Sequence, residues 1–358
     1  MVNSALLFVS ALFFLAVSAI LFTVAWLIVT LLLRTVPKMP SGWVRASLFA
    51  ALLFPPVIAG ILSAGGVFLR HSHVPGKVHH SVYCGDIARF LSVPEGKLPL
   101  IAGMLIQGAG WLLLVWGIGM VLRLLHATIS LDRELNPFLK PPSPKLAGVI
   151  ENIRNRHGFG DLEFFEADIP MSRSCLLGVR HVRCVLSKAL VVETSEEELE
   201  AVIAHEASHF RAGDVWRTLV VGTFNCLFFY LRPLRLISRR WREETELACD
   251  IATVATTQKP LALASAILRV QGVPVKTAPL PAVLLGFAEE AACAPEKRVE
   301  RLLSYAQVAS LPIDPSRTGL WQWAMTAILF LIGGLLLLSP QALCIAHCSL
   351  EAIARTLR

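Results

Sequence analysis

The chain has 358 residues and a formal charge of +7, with 55% hydrophobic and only 16% charged residues. That balance excludes an ordinary soluble domain or a disordered chain and points to a protein built into a membrane. The positive charge does not call for direct contact with nucleic acid, because the arginines lie beside apolar segments rather than in a basic patch interleaved with aromatics.

Four apolar stretches are long enough to cross a bilayer: Ala5–Leu33, Val44–Leu69, Pro99–Leu122 and Leu320–Leu338. The first lacks a positive start and is too long for a signal peptide, so it reads as a retained span. The chain then divides into an N-terminal membrane bundle of three spans (1–125), a large polar domain (126–318), and a last span with a short tail (319–358). Arg34, Lys38 and Arg45 lie between the first two spans, which favours a cytoplasmic first loop. The expectation is a multi-pass protein of a bacterial-type inner (plasma) membrane with the segment Arg123–Thr318 in the cytoplasm. Arg232, Arg235, Arg239, Arg240 and Arg242 would then face anionic headgroups, making membrane lipid a partner.

The outer loop carries His71, His73, His79 and His80, read as a polar loop. Cys84, Cys344 and Cys348 would lie outside, either as free thiols or with one disulfide joining loop to tail. Cys175, Cys184, Cys226, Cys249 and Cys293 are expected to remain thiols.

At the start of the middle domain, Pro137, Pro141, Pro142 and Pro144 form a stiff linker. Lys145–Arg156 has the pattern of an opening helix, and Val182–Leu186 and Ala189–Val192 have the character of short strands. Ser195 and Glu198 make a capping box that starts a helix about ten residues before His205. Leu199, Val202, Ile203 and Phe210 give that helix an apolar face.

On this helix stands His205-Glu206-Ala207-Ser208-His209, an H-E-x-x-H. Residues i and i+4 share a face, so both histidines can point at one ion. Glu206 lies beside them, where it can take a proton from a water held by zinc. Arg239–Thr257 contains no Pro or Gly and reads as a second helix. On it, Glu246 can close a three-ligand set with a fourth position left open, and Asp250 can support a ligand histidine from behind. Cys249 reads as a small buried residue rather than a ligand. One zinc ion per chain is expected.

Between the two helices, Leu219–Leu231 is apolar but short, roughly 20 Å as a helix against a hydrocarbon core of about 30 Å. A simple crossing there would put Glu246 on the opposite side from His205 and His209. The run is therefore expected to be a buried helix, or one that dips into the near leaflet, ended by Pro233. Pro281–Pro295 reads as a lid or late loop.

Leu176-Leu177-Gly178, the Val185–Val192 stretch, His205-Glu206-Ala207-Ser208-His209-Phe210-Arg211-Ala212-Gly213-Asp214 and Glu246-Leu247-Ala248-Cys249-Asp250 together resemble the M56 metallopeptidases. These are integral-membrane sensor proteases related to the β-lactam receptors. The sister M48 metallopeptidases share H-E-x-x-H, and both families carry a basic-apolar segment like Arg298-Val299-Glu300-Arg301-Leu302-Leu303. The resemblance implies an integral-membrane, mainly α-helical protein, with transmembrane helices and a gluzincin-like zinc metalloprotease domain holding a small β-sheet. It implies His205, His209 and Glu246 as zinc ligands, Glu206 as general base, and Asp214 and Asp250 as supports behind them. It also implies that an extended substrate pairs with an edge strand, for which Leu176–Leu186 is the candidate. Arg298, His181 and Tyr305 are candidates for a second oxyanion donor. About twenty residues follow the last span, with no S-x-x-K motif, so direct β-lactam sensing is not expected.

The leading expectation is a zinc metalloendopeptidase acting as a regulated signalling protease. It would cut a transcriptional repressor or itself, and it could act as a homodimer. A quality-control protease for membrane proteins is the alternative within the enzyme class, and a non-catalytic zinc-stabilised receptor or scaffold is the alternative outside it. A transporter fits less well, because the spans hold almost no ionisable residues.

Overall fold

The computed structural model describes residues 4–35, 41–71, 100–157, 161–168, 174–272 and 295–307. The last apolar stretch, Cys84, Cys293, Cys344 and Cys348, all of the histidine loop after His71, and all of Pro281–Pro295 but Pro295 itself lie outside the described residues.

Three long apolar helices come first: α1 (Ser4–Thr35), α2 (Ser41–His71) and α3 (Leu100–Leu135). Among the described residues, Val44–Ile61 and Val115–Phe138 are long and apolar enough to cross a membrane. The third helix does not stop with its apolar run near Leu122. No Pro or Gly interrupts Arg123–Leu135, and the helix continues until Pro137 tightens it into a 3-10 turn over Asn136–Phe138.

The proline-rich linker is more than a spacer. Leu139–Lys140 forms β1, an outer strand of the sheet, and Pro144 opens α4 (Pro144–His157), where a missing N–H costs nothing. Then come β2 (Glu163–Ala167), β3 (Ser174–Leu177) and β4 (Arg183–Ser187). The sheet order is β1-β2-β4-β3, with β2 and β4 parallel and the two outer strands antiparallel to their neighbours. Alternation along β4 splits its side chains between two cores. Cys184 and Leu186 join Leu146, Ile153, Leu199 and Ile203 on one face, while Val185 joins Leu131 and Leu135 of α3 on the other.

Two expectations about this region are corrected. Ala189–Val192 is not a strand but part of the short helix α5 (Lys188–Glu193). The Ser187 hydroxyl accepts from the Leu190 N–H and caps it, and Leu190 and Val191 pack into the core from a helix instead. Nor is Leu176–Leu186 one edge strand. Gly178, with φ +86°, turns the chain back, so β3 alone is the edge and β4 lies inside the sheet.

The capping box of Ser195 and Glu198 is formed and starts α6 (Glu196–Ala212). Then follow α7 (Asp214–Leu227), α8 (Arg232–Thr257), α9 (Pro260–Gly272) and α10 (Pro295–Gln307). Leu219–Leu231 therefore falls on the latter part of α7 and the turn after it. That turn closes with the Leu231 N–H donating to the Phe228 carbonyl. Pro233 does not end this run; it stands in the first turn of α8, where no backbone donor is needed. Val221, Phe228, Leu234, Ile237 and Trp241 of this hairpin are buried against Phe22, Val29, Leu48, Phe49 and Leu52 of α1 and α2. The hairpin goes in among the long apolar helices and comes back on the side it left, so Glu246 returns to the histidines.

Candidate metal centre

Helix α6 is fixed at both ends. Its apolar face, Leu199, Val202, Ile203 and the partly buried Phe210, sits in the core beneath the sheet, which aims His205 and His209 at α8. At its C-terminus Gly213 takes a left-handed conformation, φ +67°. A Cβ there would lie 2.6 Å from Trp216 Nε1, so glycine is required by conformation and by space. The turn starts α7 at once and folds Asp214 back onto His209.

Donor atoms of three residues meet between α6 and α8. His205 Nε2 and His209 Nε2 are 3.2 Å apart. Glu246 Oε2 is 3.6 Å from the first and Oε1 is 3.5 Å from the second. Zinc ligands at about 2.0–2.1 Å in a tetrahedron stand roughly 3.3 Å from one another. The observed spacings fit that requirement, and the donor set of two imidazoles and a carboxylate suits zinc.

Each of the two histidines has a carboxylate behind it. His209 Nδ1 lies 3.0 Å from Asp214 Oδ2. His205 Nδ1 lies 3.2 Å from Asp250 Oδ1, close enough to pair but not aligned as a hydrogen bond. Asp214 and Asp250 are nearly fully buried. Arg298 supports the second pair: Nη1 lies 2.9 Å from Glu246 Oε2, and Nε and Nη2 donate to the two oxygens of Asp250.

The carboxylates around the two histidines dominate the electrostatics of the site. Burial works against the Glu246 carboxylate, yet the two histidines and Arg298 hold it far below the usual range. Burial pulls His205 down, but Asp250 and Glu246 outweigh it and hold the imidazole above its ordinary value. For His209, Cys249, Asp214 and Glu246 likewise overcome burial.

Cys249 is buried, as the sequence suggested, and its Sγ lies 3.3 Å from His209 Nδ1. With Asp214 and His209 it forms a second group of donor atoms close enough for an ion. Burial pushes the thiol up while His209 works the other way, and the side chain stands behind His209. Cys175, Cys184 and Cys226 are also free. Burial, followed by the Glu206 carboxylate, pushes the Cys175 thiol up to about 12.

Glu206 stands one residue beyond His205, and the Ser174 hydroxyl donates to its Oε1 at 2.6 Å. Ser174 begins the edge strand, so that strand touches the candidate base directly. His181 lies exposed in the turn after β3, at the opposite end of that strand from Ser174. Arg298 directs its guanidinium at Glu246 and Asp250. Tyr305 is on α10, and its side chain is outside the described set.

Sequence reasoning did not find Ser174 or Arg45 as parts of the centre. Ser174 is a small polar residue at a strand start, which carries no signal by itself. Arg45 reads as a loop charge for topology, whereas it pairs with Asp214 from α2.

A model of the BlaR1 peptidase M56 family matches residues 13–291. The chain belongs to that family. That family is described as one of peptidases, and a relative of the chain is named a metallopeptidase. The chain is similar to this relative, the plastoglobule-localized metallopeptidase 48, chloroplastic, of Arabidopsis thaliana, with 26% identity over 120 residues, 31% of this chain. The match covers 35% of that relative, so the M56 peptidase spans about a third of its length.

Proposed function

We propose that this M56 peptidase is a zinc-dependent, membrane-embedded endopeptidase of gluzincin type that acts as a regulated signalling protease. The observation that carries the reading is the meeting of His205 Nε2, His209 Nε2 and the Glu246 carboxylate at 3.2–3.6 Å, one carboxylate oxygen facing each histidine, with Glu206 beside them. His205, His209 and Glu246 would hold the zinc. When bound, zinc supplies Lewis acidity that makes water a nucleophile near neutral pH and stabilises the oxyanion of the attacked carbonyl. Glu206 takes the proton of the attacking water and later delivers it to the leaving amine. The Ser174 hydroxyl fixes the carboxylate of this base. The outer edge of β3, unpaired with another strand among the described residues, offers backbone groups to an extended peptide, which would bring its scissile bond along the active helix.

Exposed apolar surface supports the membrane reading. Leu112, Val115, Trp116 and Leu122 along α3 are each more than 60% exposed, and Ile20, Leu27 and Leu31 of α1 are exposed too. A band of that size on a protein in water would promote association. With the basic residues after α1 facing the cytoplasm, the metal centre faces it as well, and a repressor or the chain itself is within reach as substrate.

The test compares new protein N-termini in cells expressing the wild type or Glu206→Ala. One or two new ends, on a DNA-binding repressor or on this chain, support the signalling reading. Many ends spread over membrane proteins replace it with quality control. Identical sets of ends under every inducing condition overturn the catalytic reading in favour of a zinc-stabilised receptor.

A further inference from the structure

Asp214 is held from two sides. Its Oδ2 faces His209 Nδ1 at 3.0 Å, and its Oδ1 is bonded by the Arg45 guanidinium from α2, far away in sequence. Both charges are out of water: the side chains of Arg45 and Asp214 are 13% and 5% exposed. Arg217 Nη1 stands further off, 3.6 Å from Oδ1. One turn along α2, Phe49 meets the ring of Trp216 on α7 edge-on, with centroids 6.0 Å apart. It also lies 5.7 Å from the ring of Trp241 on α8, the helix that carries Glu246. The same face of α2 thus touches the element supporting one histidine and the element delivering the third ligand.

We infer that Arg45 is a positioning residue of the metal centre, through which α2 sets the orientation of Asp214 and hence of the His209 ring. The inference rests on the reading of His209 as a zinc ligand. A carboxylate held on one oxygen only, here Oδ2 by His209 and by Cys249 Sγ at 3.7 Å, can rotate about its own bond. With Arg45 on one oxygen and His209 on the other, it cannot turn without losing one of them. In a buried site a lost partner is expensive, because no water replaces it. Neutralising Arg45 leaves a buried carboxylate free to turn toward Arg217, and His209 then loses the acceptor that orients its ring and raises its basicity as a ligand. An axial shift of α2 would act on the same bond.

The test uses the full chain in phospholipid nanodiscs and reads zinc affinity by competition with a chelator. Arg45→Gln is expected to weaken zinc binding about tenfold, at the lower end of what loss of a support behind a ligand histidine costs. On an Asp214→Asn background the same substitution is expected to have no further effect, since the carboxylate that transmits it is gone. Arg45→Lys, which keeps the charge but loses the forked geometry, should cost about threefold on the native background and nothing on the other. It carries the comparison if Arg45→Gln does not assemble. Unchanged or tighter zinc binding by the Arg45 variants overturns the inference. So does an equal loss on both backgrounds, which would make Arg45 only a clamp between helices. His209→Ala separates the two levels. If it binds zinc as well as the wild type, the ligand assignment itself fails and takes this inference with it. If it loses zinc while the Arg45 variants are silent, the metal centre stands and only the inference falls.

Discussion

Arg298 grips Asp250 with two nitrogens, Nε on Oδ2 at 2.8 Å and Nη2 on Oδ1 at 2.7 Å. The forked pairing fixes the plane of a carboxylate that faces His205, and the remaining nitrogen reaches Glu246. Burial would push Asp250 up, but His205 and Arg298 hold it below its ordinary value, so it stays charged behind the imidazole. Replacing Arg298 with methionine removes this anchor from two residues at once. Zinc affinity should fall roughly 10- to 100-fold, the range for lost ligand supports, and chelator competition measures it. An unchanged affinity would show that Asp250 needs no anchor.

Glu206 and Ser174 should separate chemistry from metal binding. Glu206→Gln removes the proton acceptor but no ligand. Peptide turnover should drop by about 100- to 10,000-fold while bound zinc, measured by elemental analysis, stays at one per chain. Ser174→Ala loses one hydrogen bond to a carboxylate, and kcat should fall roughly tenfold with zinc content again intact.

Zinc binding should depend on pH in a direction set by the histidines. Both are raised above their ordinary 6.5 in the metal-free protein, so each carries a proton below its raised value and must release it to bind metal. Affinity is therefore full at higher pH and falls as the pH drops, beginning above 6.5. Glu246, held below its ordinary 4.5, adds nothing to this slope in that window. Titrating affinity between about pH 9 and pH 6 checks the onset. Asp250→Asn should move the His205 contribution to lower pH, because the carboxylate holding its proton is gone.

Gly213→Ala tests the joint between α6 and α7. The substitution forces a side chain into left-handed backbone and against Trp216 Nε1. It should destabilise the fold by about 1–2 kcal/mol, visible as a lower Tm. Zinc affinity should fall with it, since the joint carries Asp214 to His209.

Much of this centre is legible in the residues alone, because local patterns make it. The capping box, the helical spacing of His205 and His209, and the unbroken Arg239–Thr257 segment each depend on neighbours within a turn or two. Ala189–Val192 was misleading because β-branched valines favour strands, while the outcome was decided by the Ser187 cap and by a core that accepts Leu190 and Val191 from a helix. Leu176–Leu186 shows the same limit, since only the left-handed turn at Gly178 divides it into an edge strand and an inner one. Arg45 and Ser174 belong to the centre through contacts between residues far apart in the chain. No spacing rule within one segment could place them there.

The burial of Leu234, Ile237 and Trp241 by α1 and α2 also has a bearing on how the molecule is made. The ribosome delivers α1 and α2 early, and the surface they offer to α8 stays uncovered until the hairpin is synthesised. Glu246 is the last of the three candidate ligands to be synthesised, and it lies beyond the hairpin that packs among α1 and α2. A partly made chain therefore has H-E-x-x-H but no closed ligand set.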